Sequence, residues 1–82
     1  MHELGIANSV IEAVQKEAAA YPGSSPVKIA VRVGELSGVD PDALAFGFEA
    51  LTTGTDLQNL KLEIERAPGD HLDLMYVELE EP

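Results

Sequence analysis

Cysteine is absent from this 82-residue chain, and its absence excludes several kinds of chemistry. Disulfide bonds, thiolate zinc sites and cysteine nucleophiles all require that side chain. No segment approaches the roughly twenty consecutive apolar residues of a membrane-spanning helix. The first ten residues also lack the basic start and apolar run of a signal peptide. We therefore expect a cytoplasmic protein without disulfides.

Basic residues are scarce as well. The chain has 15 acidic and 5 basic residues and a formal net charge of −10. Nucleic-acid binding requires clustered lysine and arginine, so this composition argues against that class of partner and against anionic membranes. An acidic surface attracts cations and basic proteins, and it also serves solubility alone. The length fits a single domain, residues 1–82, with one core.

Two amphipathic helices are predicted from apolar residues that recur at spacings of three and four. The first stripe comprises Leu4, Ala7, Ile11, Val14 and Ala18, and the second comprises Leu44, Phe48 and Leu51. The first helix ends before Pro22, because the residue ahead of a proline avoids helical angles. The second begins with Asp40 as its N-cap and Pro41 at its first helical position.

Three strands are predicted from alternating apolar residues, at Val27–Val33, Leu60–Ala67 and Leu72–Leu79. The third strand changes phase after Leu74, which a β-bulge or a doubly buried stretch would explain. Between the second and third strands, Pro68-Gly69 suits the two central positions of a type II turn. We therefore expect these two strands to form an antiparallel hairpin.

The order of these elements predicts the fold class. An αβαββ chain forms an α+β domain of two layers, with a three-stranded mixed sheet and both helices on one face. No internal repeat or low-complexity tract interrupts it.

The first two residues form a potential chelator. In Met1-His2, the α-amino nitrogen, the deprotonated amide of His2 and the His2 imidazole can close two fused rings in one plane around a metal ion. A planar, nitrogen-rich site favours Cu(II) or Ni(II) over Zn(II). An exposed terminal histidine without a role explains the same residues equally well. Any extension before Met1 would abolish the arrangement.

Other polar residues have simpler explanations. Asp40 is accounted for as a helix cap, and Glu3 as a first-turn acid favoured by the helix dipole. If the two helices lie side by side, Asp40 approaches the N-terminus, a contact that the pattern alone does not establish. His71, beside the predicted turn, fits a solvated turn residue better than a ligand. A hydrolase using Asp40 and Glu35 is disfavoured, because no nucleophile or phosphate loop is apparent, and we expect no enzymatic activity.

The chain resembles the HypA family of nickel metallochaperones, which act in nickel–iron hydrogenase maturation and, in some organisms, also serve urease. The resemblance covers nearly the whole chain. It is carried by the Met-His-Glu-Leu-Gly-Ile-Ala start at 1–7, Val-Arg-Val-Gly-Glu-Leu-Ser-Gly-Val at 31–39, Pro-Asp-Ala-Leu at 41–44 and Phe-Gly-Phe-Glu at 46–49.

This resemblance implies a site and partners. Ni(II) would be bound by the Met1 amine, the backbone amides of His2 and Glu3 and the His2 side chain, with Glu3 and Asp40 as neighbouring acids. It also implies delivery of nickel toward the hydrogenase large subunit together with the nickel-binding GTPase HypB. The fourth ligand and the choice between hydrogenase and urease stay open.

One departure from the family is large. The family carries a zinc domain with two Cys-x-x-Cys pairs between its last two strands, whereas here only a short turn at 68–70 lies there. No zinc is therefore expected, and contacts with the hydrogenase would be weakened or lost. The clean join favours an engineered deletion over a natural zinc-free relative. A short connection permits either a monomer or a strand-exchanged dimer.

Two functions of different classes follow. The first is a nickel-binding metallochaperone domain that takes up and hands over Ni(II). The second is a protein-interaction module that docks a maturation GTPase without binding metal itself. Blocking the N-terminus discriminates them, because it removes the first activity and spares the second.

Overall fold

Five elements follow one another in a computed structural model, which describes residues 3–81. They are α1 (Glu3–Ala19), β1 (Ser25–Gly34), α2 (Pro41–Thr52), β2 (Lys61–Ala67) and β3 (Leu72–Glu80). Both helices and all three strands match predicted elements, with ends that differ by a few residues. The α+β class is thus confirmed.

The core lies between the sheet and the two helices. Ile29, Val31 and Val33 alternate along one face of β1 and are buried in a single cluster with residues of both helices. From α1 these are Ala7, Ile11 and Val14, and from α2 they are Leu44 and Phe48. Because both helices meet the same face of β1, the predicted two-layer arrangement is confirmed.

Some predicted inward positions are wrong. Leu51 is 36% exposed and Leu4 is 56% exposed, whereas Gly47 and Thr52 are buried in α2. Helix α2 turns a small residue toward α1, which shifts its buried stripe away from Leu51. The segment between α2 and β2 also contributes Leu57 to the core, and no periodic pattern marked it beforehand.

The predicted hairpin of β2 and β3 is wrong. The sheet has the order β2-β1-β3, with β1 parallel to β2 and antiparallel to β3. The unit β1-α2-β2 is a strand–helix–strand connection, which places its two strands parallel. Strand β1 then takes the centre, where its apolar residues are covered on the helix side and both its edges are paired.

Residues 68–71 therefore cross over the end of β1 instead of folding back as a hairpin turn. Two strand spacings amount to about 9.6 Å, which four residues reaching roughly 13 Å can bridge. Gly69 has the positive φ of 94° expected for its turn position. The crossover is tied to β1 by a hydrogen bond from the Gly34 N–H to the His71 carbonyl at 2.8 Å.

A β-bulge explains the change of phase in β3. Ala30 pairs with Tyr76 and the next residue, Val31, pairs with Leu74, so Met75 is the extra residue. Of the two predicted explanations, the bulge is confirmed. Leu74 thereby lies on the helix side of the sheet, because it is paired with the inward-facing Val31.

Within residues 3–81, no helix has both the length and the apolar character needed to cross a membrane.

Candidate metal centre

The starts of the two helices meet. The Glu3 carboxylate, in the first turn of α1, accepts a hydrogen bond through Oε2 from the Asp40 backbone N–H at 3.1 Å. These residues lie 37 positions apart in the sequence. The approach of Asp40 to the beginning of α1 is therefore a feature of the folded domain.

Gly47 lies at the packing contact between the two helices. A Cβ atom on Gly47 would lie 3.4 Å from Cδ1 of Leu4 and 3.7 Å from Cβ of Ala7. This part of α2 therefore packs directly against the first turns of α1. The hydrogen bond between Glu3 and the Asp40 backbone joins the starts of the same two helices.

Asp40 also caps α2, as the sequence predicts. Its backbone is extended (φ −84°, ψ 114°), and its Oδ1 accepts hydrogen bonds from the N–H groups of Asp42 at 2.9 Å and Ala43 at 3.4 Å. Pro41 occupies the first helical position. Both capping bonds use Oδ1, so a role for the second oxygen toward a cation is compatible with the cap.

The loop that carries Asp40 is held by hydrogen bonds at both ends. Ser37 Oγ donates to the Gly34 carbonyl at 2.7 Å and accepts from the Val39 N–H at 3.2 Å. The Leu36 N–H donates to the Gly69 carbonyl at 2.8 Å. The loop is thereby fixed to the end of β1 and to the crossover, which sets the position of the α2 cap.

The same contact changes the pKa of the Glu3 carboxyl group. The hydrogen bond from the Asp40 N–H, and a second from the backbone N–H of Glu3 itself, lower the pKa of Glu3 below its ordinary value of 4.5. Hydrogen bonds donated to a carboxylate favour its charged form. Glu3 therefore carries a negative charge at neutral pH, close to the beginning of the chain.

This lowered pKa predicts a pH-dependent contribution to stability. Because the folded-state pKa of Glu3 lies below the unfolded value, its contribution is present above pH 4.5 and is lost as the pH falls through the folded value. Glu3→Gln is expected to unfold more easily than the native chain at pH 7. The difference should close progressively below pH 4.5, measured by urea unfolding across a pH series.

Glu17→Gln is the matched control, because Glu17 is an exposed acid further along α1. It should stay within about 0.5 kcal/mol of the native chain at neutral pH. An unfolding difference for Glu3→Gln that is constant from pH 7 to pH 3 would show that the contact with Asp40 does not depend on the charge of Glu3.

Met1 and His2, the other two predicted site residues, lie outside the described residues. Within residues 3–81, no group of three histidine, cysteine, aspartate or glutamate side chains is placed to hold a metal ion. Of the four predicted site residues, the structure therefore describes Glu3 and Asp40 and brings them into contact.

The remaining candidates are placed elsewhere. His71 is exposed, with its Nε2 3.8 Å from Oδ1 of the neighbouring Asp70, as expected for a solvated residue beside a turn. Glu35 is exposed at the end of β1, where its backbone N–H donates to the Ala67 carbonyl at 2.8 Å.

The buried position of Gly47 in α2 was not predicted from the apolar pattern. A glycine in the interior of a predicted helix lowers helix propensity, and its presence there often reflects close packing. That signal was available in the sequence, between Phe46 and Phe48.

Fold and site together define a two-layer α+β domain in which the Glu3 carboxylate joins the starts of the two helices through the Asp40 backbone. Among solved structures, the Ni metallochaperone HypA from Helicobacter pylori has a similar fold, with a TM-score of 0.73 over 93% of this chain and 72% of that one. The identity is 19%, so this likeness concerns the fold alone.

Sequence comparisons identify the family. The HypA family model, described as hydrogenase/urease nickel incorporation, metallochaperone, matches residues 1–72. The chain belongs to the HypA family. The hydrogenase maturation factor HypA of Roseiflexus sp. (strain RS-1) is 49% identical over 83% of this chain. That of Geobacter metallireducens is 45% identical over 84% of it.

The curated relatives are longer than this chain. The match spans 55% of the Roseiflexus protein and 60% of the Geobacter protein. The family likeness therefore covers most of this chain and less than two thirds of those relatives.

Proposed function

We propose that this chain binds one Ni(II) ion at its N-terminus and hands it on for the maturation of a nickel–iron hydrogenase. The observation that carries the proposal is the hydrogen bond from the Asp40 backbone N–H to the Glu3 carboxylate, because it joins two of the proposed site residues that are far apart in the sequence. Membership of a family of nickel metallochaperones supports the same cargo. No catalytic activity is part of the proposal.

The proposed ligands come from the first three residues. They are the Met1 amine, the backbone amides of His2 and Glu3, and the His2 imidazole. Nitrogen donors in a plane suit Ni(II). Glu3 and Asp40 contribute negative charge next to this set, which raises the local concentration of the cation. Because the nitrogen donors must be free of protons, nickel affinity falls as the pH is lowered.

Release is part of the function of a metallochaperone. A site made largely from the first residues of the chain suits transfer better than a closed cage. The proposed recipients are the GTPase HypB and the hydrogenase large subunit, with urease as a second target.

The crossover at 68–71 takes the place of the family's zinc domain in this proposal. The chain has no cysteine, and the segment between β2 and β3 has room only for the path across the end of β1. Contacts with the hydrogenase are accordingly weakened or lost in the proposed activity, whereas nickel uptake at the N-terminal residues is retained.

The two histidines provide a matched test of the site. Calorimetric titration of Ni(II) should show one-to-one binding for the native chain and for His71→Ala. His2→Ala should bind Ni(II) more than about 100-fold more weakly. Even the loss of a residue that only hydrogen-bonds to a metal ligand lowers metal affinity by about 10- to 100-fold. Equal affinity of the two variants would contradict the N-terminal site. No binding by any of the three proteins would favour the docking module.

A further inference from the structure

An apolar groove runs between α1 and β3, on the helix side of the sheet. It has a volume of about 510 Å³. We define this α1–β3 groove by six of the residues that line it, Gly5, Ser9, Ala13, Val31, Leu72 and Leu74. It is separate from the contact between Glu3 and Asp40.

Small residues on α1 create the groove. Gly5, Ser9 and Ala13 are spaced by four, so they form one stripe along the helix that faces β3. The strand offers large side chains in return, with Leu72 37% exposed and Leu74 47% exposed. These leucines lie on the face that the helices cover elsewhere, and here the helix leaves them open.

The outer edge of β3 adjoins this groove. Within residues 3–81, β3 pairs with β1 along one side and has no strand on the other. An open strand edge presents backbone N–H and C=O groups in a row, which is a template for a further strand. An incoming strand would place alternate side chains toward the groove.

Charge indicates what kind of segment fits. Strand β3 carries Asp73, Glu78 and Glu80 and has no lysine or arginine. On the neighbouring strand β1, Lys28 forms a salt bridge with Glu63 at 2.7 Å and Arg32 forms one with Glu65 at 3.4 Å. Both acids belong to β2, so these bases are paired on the side of β1 away from β3. The edge therefore favours a basic occupant.

A second copy of the chain is a poor occupant. Each copy carries a net charge of −10, and β3 paired with another β3 would bring two acidic strands together. Like charges on adjoining strands are destabilising. The edge and the groove together therefore fit a partner of opposite charge.

We propose that an extended, basic segment of a partner protein adds to the outer edge of β3. Its apolar side chains enter the α1–β3 groove, and its lysine or arginine side chains meet the acids of β3. This docking does not depend on nickel. Backbone hydrogen bonds to the edge of β3 supply the affinity, and the groove supplies specificity for the segment's apolar side chains.

A synthetic probe tests the proposal. We would titrate a nine-residue peptide of alternating lysine and valine, with an N-terminal fluorescein and a C-terminal amide, with the native chain and follow binding by fluorescence anisotropy. One-to-one binding is expected, with slowed amide hydrogen exchange along β3. The corresponding glutamate–valine peptide should not bind, because the edge of β3 is acidic.

Two neighbouring substitutions on α1 separate the groove from general charge attraction. Ser9→Phe fills the groove, whereas Asn8→Phe places the same side chain at an exposed position outside its lining. Ser9→Phe should weaken binding by at least about tenfold, as expected when an anchoring pocket is lost, and Asn8→Phe should leave it unchanged.

Three results would overturn the proposal. The first is that the lysine–valine peptide does not bind, and the second is that both phenylalanine variants bind it equally. The third is self-association of the native chain in analytical ultracentrifugation that Ser9→Phe abolishes, since the occupant would then be a second copy.

Discussion

Acetylation of the Met1 amine is expected to lower the affinity for Ni(II) by more than about 100-fold. It removes a proposed direct ligand, and the loss of a residue that only hydrogen-bonds to a ligand already lowers metal affinity by about 10- to 100-fold. An acetylated nitrogen is an amide and no longer offers the lone pair that closes the first chelate ring. The His2 imidazole and the two carboxylates remain, so any residual binding measures what they supply alone. Competition against a chromophoric chelator would give both affinities.

The comparison requires that acetylation leave the fold intact. Thermal unfolding of the metal-free native and acetylated chains should coincide, because Met1 precedes the first residue of α1 and the core begins at Ala7. Equal nickel affinity of the two forms would contradict the role of the amine and would shift the site to side chains.

Gly34→Ala is expected to destabilise the domain by about 2–4 kcal/mol, within the range of severe packing changes. A Cβ on Gly34 would overlap the Gly69 carbonyl oxygen, and would lie 2.8 Å from the Gly69 carbonyl carbon and 2.9 Å from the His71 nitrogen. These atoms belong to the backbone of the crossover, which cannot move aside as a side chain would. Urea unfolding measures the loss.

Gly47→Ala is the control for Gly34→Ala. Its Cβ would meet Leu4 and Ala7 at 3.4–3.7 Å, distances near ordinary contact, and alanine favours the helix by up to about 1 kcal/mol. This variant should therefore be close to the native chain in stability. A Gly34→Ala protein as stable as Gly47→Ala would show that the crossover does not lie over the end of β1.

Local chemistry explains why the elements were predictable. Asp40 and Pro41 mark the start of α2 through capping and a fixed φ angle, which depend on neighbours within a few residues. The alternation from Val27 to Val33 likewise reports one buried face. Even the bulge at Met75 was visible as a change of phase in the apolar pattern.

Strand order was harder to predict, because it depends on which strand pairs with each edge of β1. The Pro68-Gly69 turn suggested a hairpin, and Gly69 does adopt the positive φ of such a turn. The strand–helix–strand unit around α2, however, requires β2 to lie parallel to β1. With β2 on one edge of β1, β3 takes the other edge, and the turn becomes a crossover.

The candidate site, like the fold, was predictable from the sequence only in part. The chelating order of amine, amide and imidazole follows from Met1-His2 alone and needs no fold. The meeting of Glu3 with Asp40 depends on how the two helices pack side by side, which the apolar periodicity did not reveal. Sequence could name both acids as caps or first-turn residues, and only the fold shows that they are adjacent.

The most direct test of the nickel site is X-ray absorption at the nickel edge, recorded on the one-to-one complex at neutral pH. The proposed site predicts a four-coordinate planar ion with nitrogen donors and the scattering of one imidazole, accompanied by a yellow d–d band. A six-coordinate ion without imidazole would contradict it, because nickel would then be held by carboxylates and water instead of the amine, amides and His2.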